Sequence, residues 1–101
     1  MQFRFEATVI AWRGPSPFFF APIPAEESAE IRRLSKLVTY GWGMIPVAAT
    51  IGGVAFSTSL FRKDEVYLLP LKDDVRRRAD VTAGDTVAVD MTLQAASGRP
   101  R

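Results

Sequence analysis

The sequence predicts a mainly β domain with two short helices, a barrel made from a strand-strand-helix-strand unit used twice. Three observations carry this expectation. Apolar and polar residues alternate with period two over several short runs, as half-buried strands require. Two other stretches repeat their apolar residues at helical spacing. The order of these elements in the first half of the chain then recurs in the second.

The first strand is expected over residues 3–12. Phe3, Phe5, Ala7, Val9 and Ala11 fall on one face, and Arg4, Glu6 and Thr8 on the other. Arg13-Gly14-Pro15-Ser16-Pro17 reads as a turn, because its residues preset or relax φ. Residues 18–23 form a second strand and a hairpin with the first. Pro24 opens a helix, where a missing N–H costs nothing. Glu26, Glu27 and Glu30 occupy its early turns, and Arg32, Arg33 and Lys36 its late ones, the order that suits the helix dipole. Ile31, Leu34, Leu37 and Val38 give its buried stripe.

Gly41-Trp42-Gly43 reads as a loop, and residues 44–51 as a strand with Ile45, Val47, Ala49 and Ile51 on one face. Gly52-Gly53 is a two-residue hairpin turn. A strand over 54–61 follows, then a charged turn over Arg62-Lys63-Asp64-Glu65, then a strand over 66–71. Residues 73–79 form a short helix with Val75 and Ala79 on its apolar face and Asp73-Asp74 at its head as caps. Ala83-Gly84-Asp85 turns the chain into a last strand over 86–93. The domain is expected over 1–94, with a flexible C-terminal tail over 95–101.

The doubling shows in detail as well as in order. Phe19-Phe20-Ala21-Pro22 aligns with Tyr67-Leu68-Leu69-Pro70, and Ile31-Arg32-Arg33 with Val75-Arg76-Arg77. The second unit has the shorter helix and loop.

Composition narrows the functional classes. With 101 residues, 48% of them hydrophobic and 24% charged, the chain suits one globular domain. It has no cysteine and no histidine, which removes disulfides, thiolate and imidazole metal sites, and the common nucleophile–base pairs. No metal or cofactor is expected. Of the 13 basic residues, Arg99 and Arg101 lie in the last three positions. Without them basic and acidic residues balance, so the folded body lacks the basic excess of a polyanion-binding domain. The first residues alternate apolar and charged, so no secretory leader is expected. The longest stretch of low charge, 38–61, is broken by Gly41, Gly43, Pro46, Gly52 and Gly53 and reads poorly as a membrane helix. A soluble cytoplasmic protein is expected, as a monomer or weak homodimer.

An ordered set of segments also resembles a known family. It runs Gly41-Trp42-Gly43-Met44-Ile45-Pro46-Val47, Ile51-Gly52-Gly53, Thr58-Ser59-Leu60-Phe61, Tyr67-Leu68-Leu69-Pro70-Leu71-Lys72, Val75-Arg76 and Gly84-Asp85-Thr86-Val87. Together with Phe5-Glu6-Ala7 and the segment from Phe20 to Pro24, it resembles the domain-of-unknown-function family nineteen hundred and five. The resemblance implies a double-split β-barrel of two interlocked halves, a fold shared with transition-state regulators and MazE-type antitoxins. Those proteins build the barrel from two chains, where this chain would supply both halves. The turn over 62–65 departs from the family by lacking a proline and a glycine. The resemblance implies a fold and no chemistry.

The leading functional expectation is a small binding or interaction module without catalysis, for a small molecule or a protein partner. Tyr40 and Trp42 lie in a glycine-bracketed loop suited to a pocket for a flat ligand, or to plugging one end of the barrel. Ser59, Lys72 and Arg76 are the polar candidates beside it. The alternative is a nucleic-acid-binding regulator, by analogy of fold, using Arg32, Arg33, Arg62, Lys63 and Arg77. Against it stands a set of solvated helix faces, in which Asp73 pairs with Arg76 and Asp74 with Arg78. A third reading is a minor enzyme pairing Ser59 with Lys63 or Lys72. The carboxylate pairs Glu26-Glu27, Asp64-Glu65 and Asp73-Asp74 lack the wrapped turn that a hard cation needs, and the glycines form no phosphate loop.

Overall fold

The computed structural model describes residues 2–12, 18–38 and 45–94, with the backbone alone at 35–38. The elements run β1 Gln2–Thr8, β2 Ile10–Trp12, β3 Phe18–Pro22, α1 Ala25–Val38, β4 Ile45–Ile51, β5 Val54–Lys63, β6 Val66–Leu71, α2 Asp73–Ala79 and β7 Thr86–Leu93. The expected turn at 13–17, the loop at 41–43, Met44 and the tail at 95–101 lie outside the described residues.

All strands join one curled antiparallel sheet, a half-barrel in the order β1-β7-β4-β5-β6-β3-β2. Its two ends, β1 and β2, are successive stretches of one chain run with Val9 between them. Counted as one long strand, they make the first unit strand-strand-helix-strand, and β5 to β7 with α2 repeat that order. The units interlock. β4 of the first lies between β7 and β5 of the second, and β7 lies between β1 and β4. The pairing respects the repeat: Ala21 of β3 stands opposite Leu69 of β6, the residue aligned with it in sequence.

The period-two pattern places the core. Phe3, Phe5, Ala7 and Val9 point inward with Ile45, Val47, Ala49 and Ile51 of β4 and Val87, Val89, Met91 and Leu93 of β7. Each large side chain so buried contributes about 1.5–3 kcal/mol relative to exposure. Outward-facing partners are polar, as with Arg4 and Asp90, whose Nε and Oδ1 lie 2.6 Å apart.

Three expectations are corrected. Ala11 does not continue the inward face of β1; it is exposed. At Val9 the chain leaves β7 for β3, and the Val9 amide and carbonyl bond to Asp85 and Gly84 instead of a strand, which resets the alternation. The charged turn expected over 62–65 shrinks to Asp64-Glu65, because Arg62 and Lys63 still pair with Tyr67 and Val66. Asp64 takes the left-handed conformation, φ 57°, that a tight turn demands of one residue and that Asp tolerates. Asp73 and Asp74 do not cap α2: the N-cap is Lys72, without a side-chain cap bond, and both aspartates lie within the first turn. The expected Asp73–Arg76 pair forms, while Asp74 and Arg78 make no ion pair among the described residues.

Candidate functional site

The site begins where two strands part. The ladder between β5 and β6 runs Lys63–Val66, Arg62–Tyr67 and Phe61–Leu68, then stops. Carried on, the register would set Ser59 against Pro70 and Thr58 against Leu71. Pro70 has no N–H to offer a ladder, and β6 ends one residue later to enter α2. Pro22 holds the matching place in the first unit. There the ladder between β2 and β3 stops at Ile10–Phe20, before Thr8 could meet Pro22.

The two helices beside these partings are unequal. α1 is 14 residues long and buries Ile31 and Ser28 completely. The Ser28 hydroxyl donates to the Ile23 carbonyl at 3.0 Å and accepts from the Tyr67 amide at 3.1 Å. α2 is 7 residues long and buries Val75 alone. It is stopped by Asp80, left-handed at φ 57°, whose following amide, Val81 N–H, returns to the Arg76 carbonyl at 2.9 Å.

The short helix leaves an open groove of about 960 Å³. Phe18, Phe19 and Phe20 of β3 line one side; Thr58, Ser59 and Phe61 of β5 another. Pro70 and Leu71 close the wedge, and Lys72, Asp73, Asp74 and Arg77 form the polar rim. Phe20 is buried and tilts against Trp12 (ring centroids 5.0 Å apart) and Phe61 (5.8 Å). Phe18, Phe61 and Trp12 remain 62%, 43% and 37% exposed, and they are the large hydrophobics most open to solvent among the described residues. Phe18 and Phe61 line the groove and Trp12 joins them through Phe20, so the exposed rings form a patch, where a lone exposed ring would carry no meaning.

The rim is electrostatically uneven. Asp73 is engaged by Arg76. Arg76 also lies over the Phe19 ring, 3.6 Å from its centroid, and its Nε is buried without a partner. Lys72, Asp74 and Arg77 make no ion pair among the described residues. With Arg76 counted, the groove carries a small cationic surplus.

Of the residues singled out from the sequence, Ser59 and Lys72 line the groove and Arg76 borders it. No hydrogen bond joins Ser59 to a lysine among the described residues. Tyr40 and Trp42 lie outside the described residues. The nucleic-acid candidates are dispersed among protein partners. Arg32 pairs with Glu65 and Arg33 with Glu30. Arg62 donates to the Asp64 carbonyl at 3.2 Å, and Lys63 sits 4.9 Å over the Trp12 ring. Arg77 stands on the groove rim instead. No group of three or more Asp and Glu that could hold a metal occurs among the described residues. No helix among them is long and apolar enough to cross a membrane.

Sequence reading passed over the phenylalanines. The signal was there in Phe18-Phe19-Phe20: on an alternating strand, three consecutive aromatics cannot all face one core.

Fold and groove together define a small half-barrel domain of two interlocked units with a single-sided aromatic cleft. The chain belongs to the family described as Domain of unknown function (DUF1905), whose model matches residues 5–91. No curated protein matches it.

Proposed function

We propose that this domain is a binding module without catalysis, and that its ligand seats in the groove where β5 and β6 part. The observation that carries this is the aromatic lining. Phe18 and Phe61 are held 62% and 43% exposed beside the buried Phe20, although burial would stabilise them. The polar groups on the rim suit orientation of a ligand better than bond-breaking, since among the described residues no nucleophile there is paired with a base. The setting proposed is the cytoplasm, where a chain with no cysteine is indifferent to a reducing environment.

The test is a titration of the isotope-labelled full chain with indole and with benzoate, followed by amide chemical shifts. The expected shifts gather at residues 18–20, 58–61 and 72–77. Shifts spread evenly over the surface, or none at millimolar probe, would overturn the assignment.

A further inference from the structure

We infer that the natural occupant of this groove is an extended peptide segment of a partner protein, added as a strand to the open edge of β5. The inference rests on the groove reading above and goes beyond it by naming the ligand class.

The argument is about backbone groups. Residues 54–60 of β5 pair with β4 on one side. In an antiparallel ladder, alternate residues turn their N–H and C=O away from that partner. On the other side β6 takes up pairing at Phe61 and beyond, so the outward groups of 54–60 have no strand to meet. None of them bonds elsewhere among the described residues. α2 lies against the turn that begins this edge, with Ala79 near Gly52, and a helix keeps its backbone groups for itself, so it offers the edge no partner. Thr58 and Ser59 look onto the groove. An unpaired edge beside exposed aromatics is what an added strand needs: hydrogen bonds for affinity, and pockets for alternate side chains. A small flat ligand would satisfy the aromatics and leave the edge unpaired.

The rim chooses the side-chain chemistry. Lys72 and Arg77 stand free of ion pairs among the described residues, against Asp74 alone, since Asp73 is held by Arg76. An acidic residue flanked by aliphatic ones therefore fits better than a basic one.

The experiment selects random heptapeptides, displayed on phage, against the full chain, and remakes the enriched sequence as a free peptide. Enrichment of alternating aliphatic sequences carrying Glu or Asp is expected. At saturation, exchange of the Ser59 amide, which the register turns away from β4, should slow by about tenfold or more. Methylating the peptide's backbone nitrogens on the pairing face should abolish binding with every side chain kept. Replacing its acid by Lys should weaken binding about threefold, and Arg77→Glu should reverse that preference. Equal binding by the N-methylated peptide overturns the inference, as does unchanged exchange at Ser59. If no peptide is enriched while indole still shifts the groove, the peptide assignment fails and the groove stands. If both probes are silent at the groove, both readings fall.

Discussion

The guanidinium carbon of Arg76 lies 3.6 Å from the centroid of the Phe19 ring, and the same guanidinium pairs with Asp73 one turn earlier in α2. A seven-residue helix is too short to hold itself, so its place on the sheet depends on contacts of this kind. Arg76 joins the second unit to the first and fixes one wall of the groove.

Arg76→Ala is expected to destabilise the fold by about 1–2 kcal/mol, from the lost stacking on a partly desolvated ring and the lost packing of the stem. Arg76→Lys should recover less than half, because an ammonium cannot lie flat on a ring while reaching Asp73. Asp73→Asn, at an exposed end of the pair, should cost no more than about 0.5 kcal/mol. Urea unfolding of the three variants checks the order. An Asp73→Asn loss as large as that of Arg76→Ala would put the weight on the ion pair instead of the ring.

Ser28 supports the opposite helix by a different means. Its hydroxyl lies fully buried and satisfies both the Ile23 carbonyl and the Tyr67 amide, joining α1 to the end of the ladder between β3 and β6. Ser28→Ala leaves two buried backbone groups short of a partner, a loss expected at about 2 kcal/mol. Calorimetry should show the lowered midpoint. Exchange at the Tyr67 amide should rise more than at Val89 in the distant core, and an even rise at both would show that Ser28 acts only through global stability.

The hairpin between β4 and β5 turns on Gly52 and Gly53, at φ 56° and 81°. A Cβ at Gly53 would meet nothing within 4 Å, so the cost of substitution there is backbone strain alone. Gly53→Ala is expected to destabilise by about 1 kcal/mol. Gly52→Asn should cost less, since Asn tolerates that region and the nearest atoms, those of Ala79, lie 3.8 Å from the added Cβ. A thermal melt of each variant decides, and a larger loss at Gly52 would point to the Ala79 contact as the tighter constraint.

Much of this fold was legible in the sequence because it is written in short-range patterns. Alternation placed β4 and β7, the adjacent glycines placed the hairpin between β4 and β5, and the alignment of Phe19–Pro22 with Tyr67–Pro70 marked the repeat. What escaped was the consequence of two distant stretches meeting. The exposure of Ala11 follows from a change of partner at Val9, which no local pattern records. The extra length of β5 follows from pairing with Tyr67 and Val66, which outweighs the turn-like charge of Arg62-Lys63. The groove is harder still to foresee. Ser59 and Lys72 were named from the sequence as polar candidates, but the wedge that unites them with Phe18 and Phe61 exists because a ladder stops.

Phe18 separates binding from stability. Its ring is 62% exposed on β3, so its removal returns little surface to water. Phe18→Ser is expected to change unfolding free energy by less than about 0.5 kcal/mol. Phe20 is the contrast: it is buried, touches both Trp12 and Phe61, and its truncation to Ala should cost about 3–5 kcal/mol. If the groove binds as proposed, Phe18→Ser should weaken indole binding about threefold or more while the melting curve stays in place. An aromatic anchor at a binding surface contributes to the complex and not to the free fold. A Phe18→Ser protein that melts normally and binds indole undiminished would show that β3 lies outside the binding surface, and would confine any site to β5 and α2.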